Sequence, residues 1–233
     1  MFMMKKNLFK TFVFFYILFF VVIPPVLGAF FAERQEVVLA SYPLMVFVTA
    51  GIAFLIYLLA INGWIFDEAL VREEKPFFAR FYSYSSNFLV CFGSLCLFTA
   101  LFEGISVVFG VKSGVSRVLF PDSVLGKINF VFGVLCAAFS EEVIYRFYLP
   151  QVFKDLLAKK FPKNRKLSVF CEGLAVLLFS LGHLYLGILG FLNALCAGIA
   201  LRVCMVRTKS LWIPFVIHAL YNFISFFILW LVF

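Results

Sequence analysis

The sequence predicts an all-α integral membrane protein of about seven transmembrane helices, in a range of six to eight, with its N-terminus in the cytoplasm. Three observations carry this. Of 233 residues, 64% are hydrophobic and 14% charged, where a soluble domain carries about 25% charged residues. Charges are missing from stretches long enough to cross a bilayer, which takes about 20 apolar residues. The basic residues, finally, fall mainly on one side of the membrane once these stretches are laid across it.

In chain order, residues 11–32 and 37–66 carry no charge, and 81–111 contain only Glu103. Residues 128–153 contain only Glu141, Glu142 and Arg146, and 210–233 again contain none. Each of these five is read as one span. Residues 167–201 hold only Glu172 and are interrupted by Gly182, Gly187 and Gly190. They read as two short helices joined by a tight hairpin, which completes seven. The N-terminal run, with Lys5-Lys6 before it and Leu27-Gly28-Ala29 near its end, resembles a secretory signal peptide. Its uncharged length favours a retained helix kinked at Pro24-Pro25.

With the N-terminus inside, the cytoplasmic face receives Lys5, Lys6, Lys10, Arg72, Lys75, Arg80, Lys154, Lys159, Lys160, Lys163, Arg165, Lys166, Arg202, Arg207 and Lys209. The outer face receives Arg34, Lys112, Arg117 and Lys127. The net charge of +8 is thus a topology signal that also favours anionic lipid, and nucleic-acid binding is excluded as its explanation. Six cysteines without a Cys-x-x-Cys pair imply neither a disulfide framework nor a zinc knuckle. Residues 151–160 read as an amphipathic helix on the cytoplasmic interface.

Ionisable groups are concentrated in the later part of the chain. Residues 1–125 read as accessory helices and 126–225 as a functional core within one membrane domain. An Asp, Lys or Arg at a helix centre costs about 2.5–3.5 kcal/mol on insertion scales, so such groups normally have a role. Glu142 and Arg146 are four residues apart and share a helical face, which allows an ion pair. Glu141 points about 100° away and has no partner in its own helix, as a general base requires. Phe179 and His183 share a face of the next apolar stretch, and His218 and Asn222 share a face of the last. A carboxylate, two imidazoles and an amide converging from different helices describe an active site better than structural cross-links. Ser140 has no partner in sequence and reads as a small packing residue. Glu103 reads as structural or interfacial.

At these residues the sequence resembles the CAAX protease and bacteriocin-processing family of intramembrane glutamic endopeptidases, related to the type II CAAX prenyl protease. The motifs are Glu-Glu-x-x-x-Arg (Glu141, Glu142, Arg146), Phe-x-x-x-His (Phe179, His183) and His-x-x-x-Asn (His218, Asn222). They occur in this order on successive apolar segments. The resemblance implies that Glu141 activates a water held by His183, and that His218 and Asn222 stabilise the oxyanion. Glu142 and Arg146 would then act as a supporting clamp. It implies a peptide or lipidated protein substrate, membrane lipid as surroundings, a bacterial plasma membrane as location and no cofactor. The active site is expected toward the cytoplasmic side.

Rival readings have distinct signatures. Glu141, His183 and His218 also match a catalytic zinc set, although no His-Glu-x-x-His is present. A scaffold or immunity factor that retains the motifs without catalysis has the same sequence. A transporter should show repeats in two halves, and this chain is asymmetric. One tension concerns depth: His183 lies seventeen residues past Lys166, far for a group that must meet Glu141. The helix carrying it must start in the cytoplasm or run strongly tilted.

Overall fold

The computed structural model describes residues 2–31, 35–38, 42–64, 76–111, 115–158 and 166–232. Arg34, Arg72, Lys75, Lys112, Lys159, Lys160, Lys163 and Arg165, which enter the charge-based topology, lie outside the described residues. Six stretches are long and apolar enough to cross a membrane: Leu8–Ala29, Leu44–Ile61, Phe77–Phe109, Val124–Ala158, Ile188–Thr208 and Trp212–Leu229. The shorter apolar helix Leu167–Leu181 is the seventh of the sequence reading. One feature is added to the all-α expectation. Strands β1 (Gln35–Val38) and β2 (Val115–Leu119) pair in parallel.

The first span joins α1 (Phe2–Tyr16) to α2 (Ile23–Phe31) through a π-helical turn, Ile17–Val22. The expected kink at Pro24-Pro25 takes the form of this register change. Prolines supply no N–H, and ahead of them Ile23 N–H reaches back five residues to Leu18 O. Helix α3 (Leu44–Ile61) follows Pro43, and α4 (Phe77–Phe109) follows Pro76. Proline at a helix start is cheap, because the first N–H groups lack intrahelical acceptors anyway. Gly110 ends α4 in the left-handed region at φ 63°, donating its N–H to Ser106 O. Helix α5 (Val124–Glu141) is capped by Ser123, whose side chain accepts from Gly126 N–H.

A second π-helical turn, Glu142–Tyr148, leads from α5 directly into α6 (Leu149–Ala158). A chain reversal then brings in α7 (Leu167–Leu181), a tight turn over Leu184–Leu186, α8 (Ile188–Thr208) and α9 (Trp212–Val232). The glycine-interrupted segment forms two helices as expected. Gly187, at φ 88° and ψ 179°, occupies a region essentially reserved for glycine.

Helix α8 is central, packing against α4, α7 and α9, while α5 packs against α3 and α9. One core cluster gathers Ile56, Val143, Ile144, Tyr148, Cys171 and Phe179. A second gathers Cys91, Leu95, Leu201, Cys204 and Ile217 between α4, α8 and α9. Large apolar side chains such as Phe78, Val107 and Leu125 face outward, the arrangement expected when the surrounding solvent is lipid.

The packing of α6 along α7 bears on the depth of His183. Residues equally distant from the connection between these helices lie level: Tyr145 meets Phe179 with ring centroids 5.4 Å apart. Phe179 in turn touches His183, with ring centroids 4.6 Å apart. Helix α7 has 15 residues, about 22 Å of rise. Its first turns therefore lie beside α6, at the far end of the 35-residue helical stretch Val124–Ala158, not at the start of an independent crossing.

Candidate active site

The π-helical turn defines how the acidic pair is presented. In an α-helix the residues of Glu-Glu-x-x-x-Arg would project in fixed 100° steps. The wider turn over Glu142–Tyr148 alters that spacing just after Glu141. All seven residues of the turn are buried. Glu142 and Arg146 are almost fully enclosed, while Glu141 keeps 28% of its side chain exposed. The adjacent carboxylates therefore differ in access: one is part of the core, and the other lines a space that a substrate or water can share.

Helix α9 supplies the group that joins them. His218 Nδ1 lies 2.8 Å from Glu142 Oε1, and His218 Nε2 lies 3.5 Å from Glu141 Oε2. An ionised carboxylate only accepts, so Nδ1 carries the proton and donates it to Glu142. This leaves Nε2 facing Glu141. Arg146 Nε stands 3.5 Å from Glu142 Oε2, too long for a good hydrogen bond, and its guanidinium carbon lies 3.8 Å over the Phe179 ring centroid. The expected Glu142–Arg146 pair thus exists, but the shortest contact of Glu142 is with His218. Arg146 balances charge and stacks on Phe179.

Phe179 organises the imidazoles. Its ring centroid is 4.6 Å from that of His183 and 6.2 Å from that of His218. The two imidazoles therefore lie no farther apart than the sum of these distances. His183 Nδ1 donates to the Phe179 carbonyl at 2.9 Å, so the neutral ring presents an unprotonated Nε2. Gly198 allows this packing: a Cβ there would meet Val176 at 3.1 Å and Phe179 at 3.2 Å. Asn222 lies one turn beyond His218, half-buried, and among the described residues its side chain makes no hydrogen bond. Ser140 donates to Cys136 O at 2.6 Å and Ala137 O at 3.0 Å, engaged with its own helix as a packing residue is. Glu103 is exposed on α4.

Tyrosines adjoin the acidic pair. Burial raises the Tyr42 and Tyr185 phenols, the latter to about 12, and the Glu141 charge pushes both the same way. Both therefore remain neutral donors at any physiological pH. The Tyr42 ring lies over Gly133, where a Cβ would come within 2.3 Å of it, and Tyr185 stacks on His183 at 6.4 Å. Sequence reasoning passed over these tyrosines because aromatic residues are ordinary in this chain.

It also passed over two polar groups inside the helix bundle. Asn193 donates to Thr99 Oγ1 at 3.2 Å and to Tyr221 Oη at 3.3 Å, and Thr99 is hydrogen-bonded to Tyr221 as well. Arg202, assigned by sequence to the cytoplasmic flank, packs between the helices of the bundle. It pairs with Glu172 at 2.8 Å. Proximity to Arg207 and Lys209 hid this role.

Among the described residues no group of three His, Cys, Asp or Glu side chains is arranged to hold a metal ion. His218 Nδ1 is engaged by Glu142 and His183 Nδ1 by a carbonyl.

Paired carboxylates and an imidazole thus lie together among helices long and apolar enough to cross a membrane. Residues 124–224 match the family model described as Type II CAAX prenyl endopeptidase Rce1-like. That segment carries all three motifs, and its likeness to this family agrees with the resemblance that the motifs carry. This is a family of membrane proteases. No curated protein and no solved structure matches the chain.

Proposed function

We propose that this protein is an intramembrane endopeptidase of the glutamic type, acting on a membrane-associated or lipidated protein or peptide near the cytoplasmic face. The observation that carries the reading is His218 held between Glu142 and Glu141, at 2.8 and 3.5 Å. A purely structural cross-link needs one carboxylate. Here the second is left partly open beside an oriented imidazole.

The chemistry follows from the atoms available. Glu141 accepts a proton from water while the water oxygen attacks the scissile carbonyl carbon. His183 Nε2, free because Nδ1 is bonded to Phe179 O, accepts the water's other hydrogen and orients it. Charge moves onto the carbonyl oxygen. There Asn222 Nδ2–H and, in its doubly protonated form, His218 Nε2–H donate to the oxyanion, each worth about 2.7–4 kcal/mol in comparable sites. When the intermediate collapses the C–N bond breaks, the amine takes the proton held by Glu141, and the remaining hydroxyl proton passes to the amine as well, so that a carboxylate and an ammonium leave. Glu142 and Arg146 support these groups without touching substrate.

The family description names CAAX prenyl substrates, which makes a prenylated CAAX peptide the first probe. Purified wild-type protein in proteoliposomes should cleave a fluorogenic peptide of this kind, and should do so in the presence of a chelator. His183→Ala should slow cleavage by about 10²–10⁴-fold, the range of a positioned proton-transfer group. Chelator-sensitive cleavage with stoichiometric zinc would replace the mechanism by a metal-dependent one. Folded protein that cleaves neither this peptide nor a transmembrane peptide library would favour the scaffold reading.

A further inference from the structure

Pro150 stands just past the π-helical turn that carries Glu142 and Arg146. Proline has no N–H, so the carbonyl four residues back, that of Arg146, has lost its α-helical donor. Ahead of the proline the chain adopts the wider register, with Leu149 N–H reaching Ile144 O. The Arg146 carbonyl lies in an apolar surrounding, where an unmet acceptor is costly. A donor reaches it from another helix: Arg202 Nη1 of α8 lies 2.7 Å away. The other arm of the same guanidinium, Nη2, donates to Glu172 Oε1 of α7 at 2.8 Å. Ser168 Oγ adds a longer bond to that carboxylate oxygen at 3.4 Å. One planar fork therefore joins the π-helical turn, α7 and α8, a geometry that lysine cannot reproduce with a single ammonium.

We propose that Arg202 is a positioning residue, the substitute donor for the carbonyl that Pro150 leaves open, with Glu172 orienting its guanidinium. It keeps the π-helical turn in register and so holds Glu142, and through Glu142 the imidazole of His218, in working geometry. The inference rests on the peptidase reading for its link to rate, but its structural part stands apart from that reading.

A double-mutant cycle tests it. Arg202→Met should lower kcat on the prenylated CAAX peptide by about ten- to a hundredfold, the scale of a lost charge-assisted bond. KM should change by less than about threefold, because Arg202 bonds to Arg146 O and Glu172 and not to the groups proposed to meet substrate. Pro150→Ala restores a backbone N–H able to meet Arg146 O. In that background Arg202→Met should cost no more than about threefold, which is the coupling expected of two groups serving one acceptor. Hydrogen exchange gives an activity-free readout: backbone amides of 146–149 should exchange faster in Arg202→Met and regain protection in the double variant.

If Arg202 merely ties α7 to α8 through its ion pair, Glu172→Gln should be as damaging as Arg202→Met and Pro150→Ala should give no relief. Either result overturns the proposal. Should Arg202→Met fail to fold, the same cycle is run with Arg202→Lys, where relief by Pro150→Ala supports the proposal and no relief overturns it. Wild-type protein without cleavage, together with the predicted exchange pattern, would remove the peptidase reading and leave the carbonyl-capping role standing.

Discussion

At the residue scale, two adjacent glutamates have different work because their surroundings differ. Glu142 is fully enclosed and accepts from His218, with Arg146 beside it. Glu141 is 28% exposed and faces the remaining imidazole nitrogen at 3.5 Å. Removing the cation from the buried pair leaves a charge with no compensation, a change that typically costs about 3–5 kcal/mol. Arg146→Met should accordingly lower the thermal unfolding midpoint in detergent markedly, whereas Asn222→Ala should not. Among the described residues the Asn222 side chain makes no hydrogen bond, so its loss should appear in kcat alone, by about 10²–10³-fold with KM nearly unchanged. A large loss of stability in Asn222→Ala would mean that its amide is structural.

At the scale of elements, the site depends on departures from the regular helix. Both π-helical turns, Ile17–Val22 and Glu142–Tyr148, end two residues before a proline, and the second determines where Glu142 points. Gly187 performs the matching service after His183. Its φ of 88° is strained for any other residue, so Gly187→Ala should destabilise the protein by about 1–3 kcal/mol and reduce cleavage by displacing the turn. Comparable activity and unfolding midpoint in Gly187→Ala and wild type would show that the α7–α8 turn does not position His183. Gly133, under the Tyr42 ring, holds α5 close to the chain entering α3. Gly133→Val should be among the most disruptive substitutions of a small residue, since overpacking typically costs about 1–3 kcal/mol.

What the sequence made legible follows the same physics. Glu141, Glu142, Arg146, His183 and His218 were visible because ionisable groups stand out in apolar runs, and Asn222 because of its spacing from His218. Their partners were not visible. Helical spacing pairs Glu142 with Arg146, while the closer bond to His218 depends on how α9 meets α5, and periodicity carries no such information. The depth of His183 was a difficulty while α7 was treated as a separate crossing. The pairing of Arg202 with Glu172 was not visible, because a bond between helices leaves no periodic signal in the sequence.

At the scale of the whole molecule, the chain is a bundle whose outside is apolar and whose polar groups converge within. Lys10 reaches Asp155 at 2.6 Å and its carbonyl accepts from Tyr148 at 2.7 Å. The start of the first span and α6 therefore lie at one end of the bundle. The distribution of lysine and arginine predicts that this end is cytoplasmic. A reporter that is active only outside the cytoplasm should be silent when fused before residue 8 and active when fused after Phe233. The reverse pattern would invert the orientation and place the site's access on the other side.

The central claim is that Glu141 activates the water that cleaves the peptide. The most direct measurement is single-turnover cleavage of the prenylated CAAX peptide by reconstituted wild-type protein and by Glu141→Gln, which preserves shape and removes the base. Wild-type protein should cleave, and the variant should be slower by at least about 10²–10⁴-fold with the same unfolding midpoint and peptide affinity. Cleavage by Glu141→Gln at the wild-type rate would contradict the account.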